Sequence, residues 1–501
     1  ASLVHYLTIA GDRAFDAAAF DDAVGHFEHA LSLVSSSDQL ARAQLLERLA
    51  MARRSVGRWD DALRTMNDAL DRYEALGRAG DIGRLGWAMV YQLTWSGRLV
   101  EGVQVGQRTL AALGDTVSAD KARLLSALGW ALSLGGDYSA ATATFDQARA
   151  LAEQVHDERA MADVLHMETI HHLDFGEFAD GIRVGLQAAE TFERASALWD
   201  LCSVQAFVIY QDGTLGSRVQ ATSLGDKTLG MAQRLGHLGA VFMVLSDQIR
   251  EAAMLCNLSR VEALGPEILD IGQRGGLPWR YLGHLYLGLA AHWQGNAERA
   301  EAELRSAVEL EPPGAVGGQC PSLLARHLAH QGRAAEVMEL FEAARSTLPS
   351  LDRASGIGSW NNMFGFLEAL YLCELYEEAA ALSPLVEGVL ALRRSWITFD
   401  GRLVETRAGI AAAAARRWEE AERYFAIARE AAAQMSNRLE LADLDRLHAR
   451  MLLDRGGTGD HGRAAEMLEG ALAAYRVFGM PTYAAEAERL RQMWGAIVDR
   501  D

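Results

Sequence analysis

The stretch densest in metal-ligating side chains is His166-Met167-Glu168-Thr169-Ile170-His171-His172. A zinc site on a helix needs two histidines at i and i+4, so that both imidazoles project from one face toward one ion. Here the histidine spacings are five and six and the glutamate is wrongly offset, so the stretch reads as helix surface. Cys202, Cys256, Cys320 and Cys373 are widely separated, with no CxxC pair. They read as small buried thiols of a reducing compartment, not as a disulfide framework. No G-x-x-x-x-G-K-[ST] loop exists to cradle a phosphate, and the two lysines, Lys121 and Lys227, follow no glycine-rich turn. No G-x-S-x-G nucleophile elbow occurs either. The chain is therefore expected to be non-catalytic, with no cofactor and no metal.

What the sequence does repeat is a packing pattern. A large apolar residue stands three before a small one, which stands four before a bulky one and seven before another small one. The clearest copies are Phe20-Ala23-Phe27-Ala30, Trp59-Ala62-Met66-Ala69, Tyr138-Ala141-Phe145-Ala148 and Trp418-Ala421-Phe425-Ala428. Weaker copies centre on Gly102, Gly181, Ala221, Val261, Ala300, Val337, Ala379 and Ala464. The steps between these small residues run 39, 40, 39, 40, 40, 40, 39, 37, 42, 42 and 43. Twelve copies at a period near forty predict an all-α repeat protein, each unit being two antiparallel helices that pack on their neighbours. Small residues on the second helix of each unit (helix B) let backbones approach, and Gly129 does the same on a first helix (helix A). Glycine-containing turns such as Val56-Gly57-Arg58, Ser96-Gly97-Arg98 and Gly135-Gly136-Asp137 separate the helices. The eight prolines fall mostly where helices should already have ended.

Two stretches, 311–318 and 348–359, are rich in Pro, Gly and Ser and interrupt the array. The sequence thus divides into residues 1–310 (units one to eight), a loop at 311–321, residues 322–480 (units nine to twelve), and a capping helix at 481–501. Tyr483, Ala487, Leu490, Trp494 and Ile497 mark the apolar face of that cap.

The net charge of −19 over 501 residues, without a basic stripe, argues against direct nucleic-acid binding, because phosphate neutralisation supplies most of that affinity. Half the residues are apolar, yet no run reaches the roughly 18–20 residues of a membrane span, so no membrane partner is expected. No secretory signal opens the chain, and a cytoplasmic location follows. Ala1 in place of Met reads as a piece of something longer, and the Ala/Arg-rich, Lys-poor usage as bacterial.

The units resemble tetratricopeptide repeats. Helix A carries Leu-Gly, as in Leu128-Gly129 and Leu287-Gly288, and helix B carries aromatic-x-x-Ala-x-x-x-Phe-x-x-Ala. The period exceeds the usual thirty-four, so the resemblance is to long-helix units in a right-handed superhelical solenoid of about twelve repeats. The wording of Tyr6–Leu33, Met231–Ala240 and Val477–Arg491 is similar to bacterial STAND-type signalling proteins: maltose-regulon-activator-like and large LuxR-type regulators and ATPase-linked adenylyl cyclases. In that family the solenoid is a sensor and autoinhibitory arm that binds an inducer or a protein partner, or its own ATPase or output domain.

The resemblance also implies a site. In tetratricopeptide folds helix A lines a concave wall, and the positions fifteen and eleven before the small helix-B residue face inward. Carried over, these include Trp87, Tyr91, Trp130, His166, Tyr210, Arg250 and Phe364, with Arg84, Trp95 and Asn361 nearby. Aromatic and arginine side chains on such a wall are what binding hot spots favour; the competing reading is that the long helices bury them between units. Two functions follow from the whole: a non-catalytic sensor arm of a STAND-type protein, or a free-standing scaffold that assembles a protein complex.

Overall fold

The computed structural model describes residues 3–17, 19–56, 58–216, 219–392 and 395–498. Gly57, and the side chains of Trp59, Ala221, Trp494 and Ile497, lie outside the described residues.

Helix length explains the period of forty. Ala79–Trp95, Tyr138–Gln154, Glu158–Asp174, Phe178–Arg194 and Leu238–Met254 are each seventeen residues long. Three residues join one such helix to the next, so two helices and two turns complete one unit. The middle residue of each turn takes a left-handed conformation, as at Gly97, Gly136, Gly176, Gly236 and Gly276. That reversal lets the next amide bond back to the preceding helix, as Arg98 N does to Leu93 O at 2.9 Å and Glu177 N to His172 O at 2.7 Å. Among the described residues, six turns use a side-chain-bearing residue instead, such as His156, Ser196 and Cys256.

The small residues of the pattern are buried in every described case; Ala23, Ala141, Val261, Ala421 and Ala464 are at 0 % exposure. Large helix-B side chains fill the space above small residues of helix A. A Cβ on Gly129 would stand 3.0 Å from the Phe145 ring, one on Gly288 would stand 2.8 Å from Leu304, and one on Gly409 2.5 Å from Phe425. Phe27 closes over Gly11 in the same way. The array is all-α, of tetratricopeptide-like helical hairpins. Among the described residues no strand forms; one isolated antiparallel bridge links Ile397 and Leu403. No described helix is long and apolar enough to cross a membrane.

Departures from regularity cluster late in the chain. Ala334–Ala344 is shorter, and the next helix B breaks into Tyr376–Ala381 and Ser383–Ala391, with Pro384 in the first turn of the second piece. Pro266 departs from the expectation that prolines mark helix ends. It lies inside Leu258–Arg274, which tolerates the lost ladder bond because Leu264 and Ile268 on either side are fully buried. All four cysteines are free; Cys202 and Cys320 are buried, Cys256 and Cys373 half-buried.

The chain forms two compact units, one of residues 1–132 and 139–167, the other of residues 133–138 and 168–501. The core of the first runs through Leu46, Leu63, Met66, Leu85, Met89 and Leu124. Segment 311–321 lies within the second and is pinned there. Glu311 accepts from Gln319 N at 2.9 Å and Cys320 N at 3.1 Å, Ala315 N donates to Leu134 O at 2.8 Å, and Gly358 N donates to Ala315 O at 2.9 Å.

Candidate functional site

In the first unit helix Ala79–Trp95 sets Trp87, Tyr91 and Trp95 one turn apart on a single face. Trp130, on the next helix A, completes the cluster. Ring centroids lie 5.8 Å apart for Trp87–Tyr91, 5.5 Å for Tyr91–Trp130 and 5.3 Å for Trp95–Trp130. The cluster has two layers. Trp130 is fully buried and Trp95 is 9 % exposed, while Trp87 and Tyr91 are half-buried. Packing therefore claims Trp130 and Trp95, and a partner can reach only the outer pair. Among the described residues the buried Trp130 indole N–H meets no hydrogen-bond acceptor.

Arg84 is exposed and lies apart from the rings in a cavity of about 430 Å³. Its guanidinium binds both oxygens of Glu47 and lies 3.2 Å from Asp81, while Tyr73 Oη donates to Glu47 at 3.0 Å. Those hydrogen bonds, Glu47's first, hold the Arg84 pKa above its ordinary value. The cavity wall includes Asp12, Glu47 and Met51. These occupy the inward register: Glu47 and Met51 stand fifteen and eleven before Ala62, and Asp12 eleven before Ala23. Reading for aromatic side chains passed them over; reading every residue at those offsets finds them.

In the second unit the inward register leads to the interior instead of an open wall. Arg250, 2 % exposed, donates to Tyr210 O at 3.0 Å, pairs with Asp247, and lies 4.7 Å over the Tyr210 ring. Asn361 accepts from Trp396 Nε1 at 3.1 Å and donates to Gln319 Oε1 at 3.2 Å; Phe364 is fully buried with its ring 5.7 Å from that of Trp396. His166, in the first unit, is also buried, at 4 % exposure. Tyr210, Asn361 and Phe364 are covered because residues 395–403 fold back over them, and Arg250 is buried against Tyr210, Thr214 and Asp247. Ile397 N donates to Thr214 O at 2.9 Å, and Trp396 packs its ring 6.1 Å from that of Phe178. These four residues are thus interior contacts, and an exposed binding role for them does not hold.

The largest feature that the sequence does not assemble is a buried ion network in this unit, although Glu368 is among its inward positions. Arg326, Arg402, Arg407 and Arg446, all at most 1 % exposed, face Glu368, Asp400, Glu440, Asp443 and Glu486. Arg407–Asp400 is 2.7 Å, Arg446–Glu486 is 2.6 Å and Arg402–Glu440 is 3.3 Å; Arg326–Asp400, Arg402–Asp443 and Arg407–Glu368 are also in direct contact. Burial alone would raise the Glu368 carboxyl, but Arg407, Arg402, Arg326 and Arg446 together hold it well below the usual range. Charges taken out of water this completely are stable only when paired, and losing one partner is far more costly than losing a surface pair. Arg326 and Glu368 occupy the inward register, eleven before Val337 and Ala379. A charge at an inward position was the available signal.

The last helix, Pro481–Val498, docks on this network from far along the chain. Thr482 Oγ1 donates to His292 O at 2.5 Å, Trp293 Nε1 donates to Tyr483 Oη at 3.3 Å, and His330 lies 2.9 Å from Glu486. Among the described residues no group of His, Cys, Asp and Glu is arranged to hold a metal ion.

The fold is that of tetratricopeptide-type helical repeats. No family model and no curated protein matches the sequence. Solved structures do match in fold. Yeast Tom70 is 13 % identical over 98 % of this chain and 96 % of its own, with a TM-score of 0.36. A Rap protein crystallised with competence and sporulation factor is 10 % identical over 85 % and 99 %, with a TM-score of 0.41. A STAND protein with a tetratricopeptide repeat sensor from Pyrococcus horikoshii is 12 % identical over 75 % and 54 %, with a TM-score of 0.37. The likeness is one of helical-repeat architecture alone.

Proposed function

We propose that this chain is a non-catalytic interaction array, the sensor arm of a STAND-type signalling protein, that docks a protein partner or inducer on the inner helix-A wall of its first unit. The observation that supports the reading is the two-layer aromatic cluster. Trp87 and Tyr91 offer a large, rigid, half-exposed surface at little entropic cost, held in place by Trp95 and Trp130 beneath. The acidic balance of the chain favours a protein or small-molecule partner over nucleic acid.

The test compares Trp87→Ala and Tyr91→Ala with Trp130→Ala, each measured for melting temperature and for retention of the co-purifying partner. The outer variants should lose binding, by about 2 kcal/mol or more at an anchor, with an unchanged melt. Trp130→Ala should lose stability by about 3–5 kcal/mol, as for a buried aromatic. A melt that falls as far for Trp87→Ala as for Trp130→Ala makes the whole cluster packing and defeats the reading. An ATPase or cyclase module in the same gene distinguishes a sensor arm from a free-standing scaffold.

A further inference from the structure

We propose that the second unit holds a binding site for a small zwitterion, an amino acid or short peptide, in the cavity beside Arg450 and Asp454. The cavity measures about 490 Å³, within the range of small-molecule sites. Its wall combines Arg450, Arg489, Glu374, Asp454 and Glu486 with the apolar side chains of Leu372, Leu453 and Leu490.

Arg450 differs from every arginine in the adjoining network. Arg407 and Arg446 have a carboxylate at 2.7 Å or closer. The Arg450 side chain is also buried, at 9 % exposure, yet its nearest polar contacts among the described residues are Leu372 O at 3.4 Å and Tyr376 Oη at 3.5 Å. Its only carboxylate neighbour within 4 Å among the described residues is Glu374, 3.7 Å away on a mostly exposed side chain. A guanidinium has five donors in a planar fork suited to a carboxylate, and here two long hydrogen bonds leave room for a closer carboxylate partner. The Tyr371 ring, 4.9 Å below, fixes its position.

Asp454 stands one helical turn beyond Arg450 on Arg438–Arg455. Opposite charges at that spacing ordinarily meet, but no ion pair forms between these two. Tyr371 Oη and Tyr376 Oη both donate to Asp454 Oδ2, at 3.1 and 3.3 Å, and Oδ1 accepts from neither. A cation and an anion are thus held side by side and apart, each by tyrosine. A simple anion entering the cavity would face Asp454 and Glu374, and a simple cation would face Arg450. A molecule carrying carboxylate and ammonium on neighbouring atoms satisfies both, with its side chain against Leu372, Leu453 and Leu490.

The experiment is calorimetric titration of the full chain with the twenty amino acids and a set of dipeptides. Each hit is repeated with its N-acetyl and C-amide derivatives. At least one zwitterion should bind saturably, and blocking either end should weaken it about tenfold or more, the loss of a charge-assisted contact. Arg450→Gln should abolish binding and Arg450→Lys should restore part of it. Asp454 is exposed, so Asp454→Asn tests the ammonium contact even if the Arg450 variants fail to fold, and it should weaken the hit about tenfold. Absence of saturable binding across the panel, equal binding of the blocked derivatives, or full affinity in Asp454→Asn would each overturn the assignment.

Discussion

Replacing Glu368 by Gln would test whether the buried ions hold the second unit together. The carboxylate is fully buried; Oε2 lies 3.6 Å from Arg326 and contacts Arg407, and Oε1 lies 3.5 Å from Arg402 and 3.8 Å from Arg446. Four guanidiniums thus share one anion. Glutamine keeps the shape and removes the charge, leaving those arginines short of a counter-ion in a place water does not reach. Breaking a buried pair in this way costs about 3–5 kcal/mol. At roughly 2 °C per kcal/mol for a domain of a few hundred residues, the melting temperature should drop by about 6–10 °C. Asp180→Asn, at a surface pair with both side chains 58 % exposed, should leave the midpoint where it is. Because the arginines depress the folded-state pKa of Glu368, its contribution is present above the unfolded value near 4.3 and is lost as pH falls through the lower folded value. The gap between wild type and variant should therefore close under strongly acidic conditions. A melting-temperature change under about 2 °C at pH 7 would refute the claim that these charges are desolvated and mutually dependent.

Gly102→Ala should stabilise by about 0.5–1 kcal/mol in chemical denaturation, because a Cβ there meets nothing nearer than Leu93 Cβ at 3.5 Å. Gly86→Ala should instead destabilise by about 1–3 kcal/mol, since its Cβ would stand 2.4 Å from Thr109 Cγ2. Ser196→Gly, at a left-handed turn with φ of 53°, should gain about 0.5–1 kcal/mol in the same assay. Asp174 is 1 % exposed and burial raises its carboxyl to about 8, Ser133's hydrogen bond opposing only in part. Its folded form keeps a proton that the unfolded chain releases near pH 4, so stability should fall as pH rises toward 8, and Asp174→Asn should flatten that slope in urea titrations.

How far the sequence reaches is clear from particular residues. Ala23, Ala141, Ala421 and their equivalents, the aromatic residues four beyond them, and the turn glycines at Gly97, Gly136 and Gly176 all act over a few residues. Local periodicity is enough to place them, and it also gathers Trp87, Tyr91 and Trp95 on one helix face. Whether such a face is open or covered depends on chain far away. Residues 395–403 cover Tyr210 and Asn361, and Thr482 and Tyr483 reach His292 and Trp293 across 190 residues. No local pattern announces either contact, because each joins segments far apart in the chain. The same holds for the charges. Arg326, Glu368 and Arg446 look in sequence like ordinary polar members of a helix and Arg402 like a loop residue, and only their convergence from four separate segments, with water excluded, turns them into a mutually dependent core. Repeat architecture was a matter of short-range spacing; the burial of its inner face was decided by the tertiary structure.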